Sequence, residues 1–363
     1  MILDADHPLL LTGGAGFIGT NVAARMLGAG QPVLLLDDLS RKGVEENVAW
    51  LEAHHGSEFE LVRGDIRDER LVRACVRRCG AVIHLAAQVA VTTSLTDPIT
   101  DFDVNAFGTL NLLEALRTTP RPLLYTSTNK VYGPLSDVAL VRAYGRYEPV
   151  DRALRDHGIA EDHPLDFHSP YGCSKGAADQ YVLDYARIYG LPAVVFRMSC
   201  IYGPHQCGSE DQGWVAHFAR SFRDGRPLTI FGDGLQVRDA LFADDLVEAM
   251  MQAFAAMPAT RGRAFNIGGG VENTVTLLEL IDILTALHGH APPITYEPAR
   301  PADQRYYVSD VRAFASLTGW APRVSIHEGV TRLYRDLVGR ADAAPAHGFG
   351  AAEPAMALPP TGS

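Results

Sequence analysis

The sequence predicts an α/β protein in which a doubly wound parallel sheet is joined to a smaller α/β lobe. Over the first 200 residues, short apolar runs alternate with longer amphipathic stretches, which indicates parallel strands joined by crossover helices. A glycine-rich turn follows the first apolar run, and an acidic residue ends the second. This order of features is typical of a Rossmann-type sheet, in which ligands bind at the carboxyl ends of the strands.

Apolar and amphipathic runs define the predicted elements. Six strands are expected at 9–12, 33–37, 59–63, 81–85, 123–127 and 193–198, with helices at 17–27, 68–79, 104–116 and 171–189. After residue 205 the pattern is less regular, with helices at 216–222 and 276–287 and one more strand at 264–268. We therefore expect three regions: a main domain at 1–205 with returns near 236–270, a smaller lobe at 206–235 and 271–340, and a disordered tail at 341–363.

Composition narrows the classes of partner. The 363 residues are 47% hydrophobic and carry a net charge of −11 without a basic block, which argues against nucleic-acid and anionic-membrane partners. The chain opens without a signal segment and has no run of about 18 apolar residues. Its five cysteines are an odd, scattered set, and its histidines form no metal-binding motif. We expect a cytoplasmic, metal-free protein with free thiols.

A glycine motif opens the first predicted helix. Gly13, Gly16 and Gly19 form G-x-x-G-x-x-G, with Phe17 and Ile18 in the first turn of the helix. Glycines at this spacing allow a tight turn, close approach of the backbone to a pyrophosphate, and a helix N-terminus directed at the anion. The motif therefore predicts a dinucleotide site, and 1–205 is interpreted as the dinucleotide-binding domain.

An acidic residue at the end of the second strand favours NAD over NADP. Asp37 stands eighteen positions after Gly19, where a carboxylate binds the adenosine ribose hydroxyls and repels a 2′-phosphate. Arg41 and Lys42 follow closely, and their charge weakens that preference. Further cofactor contacts are expected after the third and fourth strands, at Asp65, Ile66, Leu85, Ala86 and Ala87.

A tyrosine and a lysine begin the last predicted helix of the main domain. Tyr171 and Lys175 are four residues apart, so both side chains lie on one helix face. An ammonium near the phenol is expected to lower the pKa of Tyr171. Thr128, at the carboxyl end of the fifth strand, is placed to bind the oxygen that Tyr171 deprotonates.

Together these motifs resemble the extended short-chain dehydrogenase/reductase superfamily, the nucleotide-sugar epimerases and dehydratases. The resemblance covers about residues 8–337 and is closest to the CDP-paratose 2-epimerases, also called CDP-tyvelose epimerases. It is carried by residues 38–43, 88–94, 127–133, 165–181, 211–215 and 236–239. It implies Thr128, Tyr171 and Lys175 as the catalytic trio, tightly held NAD, and a homodimer formed through helices near 100–117 and 171–189.

The resemblance also implies a reaction. Tyr171 takes the proton of a sugar hydroxyl while hydride moves from C2 to the nicotinamide, and the hydride then returns to the opposite face of the ketone. Asn129 and Lys130 stand where the related 4,6-dehydratases carry an Asp-Glu pair. Dehydration and decarboxylation are therefore disfavoured.

Residues of the smaller lobe and its borders are predicted to bind the substrate. Arg238 and Arg305 match positions that clamp the diphosphate in the superfamily, although either residue also suits an inter-lobe salt bridge. Asn129 and Lys130 are also expected to contact the substrate. Lys130 either positions a hydroxyl or diphosphate or is a solvated loop lysine. Gln212 and Trp214 are candidates for nucleobase or sugar contacts, and Trp214 alternatively belongs to the core.

Several functions remain open at this point. The first is C2 inversion of CDP-paratose or another CDP-linked hexose. The alternatives are a 2-epimerase acting on CDP-, GDP- or UDP-glucose, a nucleotide-sugar 4-epimerase, and a non-catalytic NAD-binding regulator. The intact set of Thr128, Tyr171 and Lys175 argues against the regulator, since a sensor has no need of it.

Overall fold

The computed structural model describes residues 6–300 and 303–343. The predicted tail at 341–363 begins inside the last helix, which ends at Ala343. Residues 344–363 lie outside the described residues.

Fifteen strands are described, seven of them in one parallel sheet. The strands are β1 Leu9–Thr12, β2 Val33–Asp37, β3 Phe59–Arg63, β4 Ala81–His84, β5 Leu123–Thr128, β6 Leu140–Ala143, β7 Arg146–Pro149, β8 Ala193–Met198, β9 Cys200–Tyr202, β10 Leu228–Phe231, β11 Val237–Phe242, β12 Ala264–Ile267, β13 Thr274–Thr276, β14 Ile294–Glu297 and β15 Tyr306–Tyr307. The large sheet has the order β12-β8-β5-β4-β1-β2-β3, and every pair in it is parallel. The predicted doubly wound Rossmann-type sheet is confirmed, with β12 as its seventh strand.

Fourteen α-helices accompany the described strands. They are α1 Phe17–Leu27, α2 Val44–His55, α3 Glu69–Arg78, α4 Val91–Thr96, α5 Pro98–Phe102, α6 Gly108–Thr118, α7 Arg152–His157, α8 Ser169–Ile188, α9 Trp214–Asp224, α10 Ala243–Ala255, α11 Met257–Thr260, α12 Leu277–His288, α13 Arg312–Thr318 and α14 Ile326–Ala343. The single helix expected at 104–116 is wrong at its start. A π-helical segment, Asp103–Phe107, precedes α6 there.

Side chains on alternate positions of the strands bury both faces of the large sheet. Leu9, Leu11 and Leu35 pack on the face covered by α1 and α10. Leu10 and Leu34 pack on the opposite face, against α3, α6 and α8. Strands buried on both faces explain why their sequences are continuous apolar runs.

The smaller lobe is built around β11. This strand pairs with β13, β15 and β9, while β10 pairs with β14. Helices α9, α12 and α14 enclose the lobe's core. Within the predicted return near 236–270, β12 lies in the large sheet, whereas β11 lies in the small-lobe sheet. Residues 134–165, which we call the insertion, form the hairpin β6–β7 and helix α7. The insertion contacts the smaller lobe through Arg146, whose guanidinium lies 2.7 Å from the Glu279 carboxylate.

Within residues 6–300 and 303–343, none of the helices combines the length and apolarity needed to cross a bilayer.

Candidate active site

The glycine turn after β1 leaves no room for side chains. Gly13 has a φ of 67°, and a Cβ built on it lies 2.7 Å from the Ala86 backbone nitrogen. A Cβ on Gly19 lies 2.5 Å from the Gly14 carbonyl oxygen. Helix α1 begins at Phe17, and Gly16 before it offers no capping side chain, so the first N–H groups of the helix suit an anion. The turn fits a dinucleotide pyrophosphate.

Asp37 is held in place by the backbone of two neighbouring loops. Its carboxylate accepts hydrogen bonds from the N–H groups of Ala15, at 3.0 Å, and Leu39, at 2.9 Å. Burial raises the pKa of Asp37, and the two hydrogen bonds act in the opposite direction. Arg41, which weakened the preference for NAD at the sequence level, donates to the side-chain oxygen of Gln212.

The predicted adenine-side residues follow β3. Ile66 is buried, and Asp65 forms a paired salt bridge with Arg67, whose terminal nitrogen lies 2.6 Å from the carboxylate. The hydrogen bonds from Arg67 hold the pKa of Asp65 below its usual value. Asp65 is therefore a charged acceptor that shares its oxygens with Arg67.

A buried histidine that we did not predict organises the end of β4. The Thr12 hydroxyl accepts hydrogen bonds from the N–H groups of Leu85 and Ala86 and lies 2.6 Å from His84 Nδ1. His84 Nε2 lies 3.0 Å from the Thr109 hydroxyl. Burial lowers the pKa of His84 to about 3, so this ring is neutral. The only indication of this network in the sequence was one polar residue, His84, at the end of an apolar strand.

The three predicted catalytic residues come together between β5 and α8. Thr128 ends β5, Tyr171 lies in the first turn of α8, and Lys175 follows one turn later; all three are buried. The Thr128 hydroxyl donates to the Asn129 side-chain oxygen over 3.4 Å and lies close enough to the Tyr171 phenol to act on its pKa. The Lys175 ammonium donates to the Thr126 carbonyl oxygen over 2.6 Å and lies 4.4 Å from the centre of the Tyr125 ring.

Burial controls the charges of this trio. It raises the pKa of Tyr171 to about 12, while Thr128 and Arg41 act to lower it. Burial lowers the pKa of Lys175 to about 7, with Asp179 and Asp101 acting to raise it. The prediction that Lys175 lowers the pKa of Tyr171 is wrong for the protein alone, because desolvation of the phenol outweighs the nearby charges.

A second buried network, also missed by sequence reasoning, supports the start of α8. Asn105, in the π-helical segment, donates to Asp101 Oδ1 and Ser174 Oγ, each over 3.1 Å, and accepts from the Gln88 N–H. Ser174 donates to Asp101 Oδ2 over 2.5 Å. The only signal was the i, i+4 spacing of Asp101 and Asn105.

Two residues of the predicted ligand edge carry unpaired polar atoms. The Ser127 hydroxyl, one residue before Thr128, and the Gln88 side-chain oxygen, which follows β4, are buried and have no hydrogen-bond partner among the described residues. An unpaired buried polar group costs about 1–3 kcal/mol.

Two of the predicted substrate residues share a cationic pocket. Burial lowers the pKa of Lys130 to about 8, and neighbouring Arg238 lowers it further. Arg238 is buried and ion-pairs with Asp303 over 2.7 Å. Lys130 itself is half-buried. The Trp214 indole N–H donates to the Cys200 sulfur over 3.3 Å, and Cys200 also interacts electrostatically with Lys130 and Arg238.

The other predicted substrate residues lie apart from this pocket or contact it at its edge. Asn129 donates to the side-chain oxygen of Gln304 over 3.4 Å. Arg305 is exposed and lies over the Tyr147 ring of the insertion, 5.5 Å from its centre. Gln212 contacts Arg41 on the cofactor side.

Comparisons with known proteins agree on one family. Residues 9–268 match the model of the NAD dependent epimerase/dehydratase family. The chain is 44% identical to a CDP-paratose 2-epimerase of Salmonella typhi, over 90% of this chain and 98% of that protein. It is 34% identical to a UDP-glucose 4-epimerase of Mycolicibacterium smegmatis, over 89% and 96% of the two chains. The structure of a UDP-glucuronic acid 4-epimerase from Bacillus cereus, in complex with UDP-glucuronic acid and NAD, superposes with a TM-score of 0.79 at 26% identity, over 92% of this chain and 99% of that chain.

Proposed function

Because the chain belongs to the NAD-dependent epimerase/dehydratase family, we propose that it inverts C2 of a CDP-linked hexose, with CDP-paratose as the first candidate. One observation carries the proposal: Thr128, Tyr171 and Lys175 are all buried between β5 and α8, at the same edge of the sheet as the glycine turn. The similarity to the Salmonella typhi CDP-paratose 2-epimerase supports the choice of carbon and nucleotide.

The ring C–H at C2 is not acidic, so its inversion requires transient oxidation. When held by the turn of Gly13, Gly16 and Gly19, NAD would supply the hydride acceptor for this oxidation and the hydride donor for the return to the opposite face. Tyr171 as phenolate removes the proton of the C2 hydroxyl and gives it back at the end. Thr128 hydrogen-bonds to the same oxygen, and Lys175 supplies positive charge in a desolvated site where electrostatic effects are strong. Atoms and electrons balance over one turnover.

Different residues of the protein suit different parts of the cofactor. The turn of Gly13, Gly16 and Gly19 suits the pyrophosphate, and Asp37 suits the adenosine ribose. Burial raises the pKa of Tyr171 and so disfavours the phenolate; the positive charge of a nicotinamide, if bound close by, would favour it.

Charge in the substrate pocket supports a diphosphate. Lys130 and Arg238 contribute two cations, and Asp303 contributes one carboxylate, which leaves one net positive charge next to the trio. Arginine and lysine both bind phosphate oxygens. Neither position 129 nor position 130 carries a carboxylate, so no acid is present there to expel a hydroxyl group.

We also propose a cytoplasmic homodimer. Four exposed apolar side chains lie on helices α4, α5 and α8, namely Leu95, Ile99, Phe102 and Ile188, and Ile99 is 73% exposed. A second copy of the chain would bury this apolar surface. Five free cysteines, two of them buried, suit a reducing compartment. Light scattering of the wild type and of an Ile99→Lys variant tests the dimer, and a monomeric wild type contradicts it.

Proton NMR of the products tests the proposed function. Purified protein is incubated in deuterated water with CDP-paratose, CDP-glucose, GDP-glucose and UDP-glucose in separate reactions, without added reductant. We expect inversion at C2 of a CDP-linked sugar and no deuterium in the product. Inversion at C4, the reaction that the 34% identity to a UDP-glucose 4-epimerase favours, would overturn the choice of carbon. Absence of turnover on all four sugars by NAD-loaded protein would contradict the substrate class.

A further inference from the structure

A segment between the two lobes lies over the cofactor loops. This segment, residues 203–213, runs from the end of β9 to the start of α9; we refer to it as the strap. The Asn21 amide donates to the Pro204 carbonyl oxygen over 2.9 Å. The Asn47 amide donates to the carbonyl oxygens of His205 and of Ala15 in the glycine turn. The first half of the strap is therefore fastened to α1, α2 and the glycine turn.

The second half of the strap is joined to the loop that follows Asp37. The Arg41 guanidinium donates to the side-chain oxygen of Gln212. Gly43 has a φ of 86°, and a Cβ built on it lies 3.0 Å from the Cys207 Cβ. The strap and the loop 38–43 therefore touch along their length, and the Arg41–Gln212 hydrogen bond joins them at the strap's far end.

Neighbouring residues of the strap contact the smaller lobe instead of the cofactor loops. Asp211 ion-pairs with Arg300 over 3.3 Å, and the Glu210 carbonyl oxygen accepts from the same guanidinium over 3.1 Å. Arg300 in turn lies 3.8 Å from the centre of the Phe231 ring in the smaller lobe. Asp211 thus ties the strap to the smaller lobe, while Gln212 ties it to the cofactor domain.

Arg41 lies between the two ends of the predicted cofactor site. Its charge interacts with Asp37, the predicted ribose ligand, and with Tyr171, the predicted catalytic phenol. The Arg41–Gln212 bond therefore joins the strap to the loop that follows Asp37, the predicted ribose ligand.

We infer that Arg41 and Gln212 form a clasp that closes the strap over bound NAD and retains the cofactor through the ketone stage. At that stage one hydride and one proton have left the sugar, so the cleft holds a ketone and NADH. If NADH leaves then, the enzyme has carried out a net oxidation of one sugar and has lost its cofactor. Retention by the clasp makes the oxidation reversible within one turnover. The inference needs the family's cofactor but not the identity of the sugar.

Cofactor exchange tests the clasp directly. Wild type, Arg41→Met, Gln212→Leu and the double variant are loaded with NAD, separated from free NAD by gel filtration, and chased with excess isotopically labelled NAD. Loss of one hydrogen bond to a charged group is expected to speed NAD release by about tenfold or more. The double variant is expected to release NAD no faster than Arg41→Met, because both substitutions remove the same bond. Lys42→Met removes a cation from the same loop outside the clasp and is expected to exchange at the wild-type rate.

A second readout separates retention from stability. Each protein is incubated with a nucleotide sugar that it converts, and the solution is then ultrafiltered. The clasp variants are expected to release free NADH and ketone into the filtrate, whereas wild type and Lys42→Met release neither. Folded Arg41→Met and Gln212→Leu proteins that exchange NAD at the wild-type rate would overturn the inference, as would a wild type that does not retain NAD. If no tested sugar is turned over, the proposed substrate class fails while the exchange rates still decide the clasp.

Discussion

Arg197 on β8 offers a quantitative test of how the catalytic helix is held. Its guanidinium makes two hydrogen bonds to the Asp179 carboxylate, each of 3.0 Å, and the side chains are 5% and 0% exposed. Burial acts to lower the pKa of Arg197, but the bonds to Asp179 outweigh it and raise this pKa. In Arg197→Met, Asp179 keeps a buried charge without its cation. We expect a loss of about 3–5 kcal/mol in the free energy of unfolding, which lowers Tm by roughly 4–7 °C.

Thermal unfolding of NAD-saturated protein measures this effect. Arg187→Met is the matched control on the same helix, because the Arg187–Asp184 pair has a length of 3.2 Å but is 71% and 52% exposed. Removal of an exposed pair is expected to cost less than about 1 kcal/mol. The double variant Asp179→Leu/Arg197→Met removes both charges and is expected to recover most of the loss. Equal Tm values for Arg197→Met and Arg187→Met, or a double variant as unstable as the sum of its singles, would refute the reasoning.

Three further substitutions test the site. Tyr171→Phe is expected to keep its NAD content and lose at least about 10²-fold in turnover; a variant that retains full turnover would remove Tyr171 from the chemistry. Burial lowers the pKa of His84 to about 3 from an ordinary value of 6.5. Between these two pH values the unfolded chain binds a proton that the folded protein excludes, so the free energy of unfolding falls as the pH drops from 6.5 towards 3. His84→Gln is expected to lessen that fall in urea unfolding measured between pH 4 and 6.5, and an unchanged slope would contradict the neutral ring. Because the pKa of Lys130 is lowered to about 8, the KM for the nucleotide sugar is expected to rise above about pH 8 in wild type. Lys130→Met is expected to show a high KM without that pH dependence, and a wild-type KM in this variant would show that Lys130 does not bind the diphosphate.

Sequence reasoning succeeded where a local pattern is tied to a general rule of folding. All six predicted strands and the added strand at 264–268 lie in one parallel sheet, because strands buried on both faces are continuous apolar runs. Thr128 and Tyr171 are 43 positions apart in sequence, yet their meeting follows from the rule that carboxyl ends of parallel strands form the ligand edge.

Local patterns were insufficient where contacts join distant polar residues. Helix α2 was not predicted, because only four of its twelve residues are buried and its apolar stripe is weak. The link between Asn105 and Ser174 spans 69 positions and depends on a π-helical segment that has no sequence signature. The contact between Gln212 and Arg41 likewise depends on side-chain direction.

Desolvation accounts for the one wrong electrostatic prediction. Helical spacing placed Lys175 one turn from Tyr171 correctly, but spacing carries no information on burial. Burial moves the pKa of Tyr171 up and that of Lys175 down. The charge of a bound nicotinamide would therefore add to that of Lys175 in favouring the phenolate.

The fate of the hydrogen at C2 tests the central claim most directly. CDP-paratose carrying deuterium at C2 is incubated with NAD-loaded protein in ordinary water, and the deuterium content of the C2 epimer is measured by mass spectrometry and NMR. Oxidation and return of the same hydride predict a product that retains its deuterium at C2. A C2-inverted product with hydrogen from water at C2 would show proton exchange with solvent and would contradict the account.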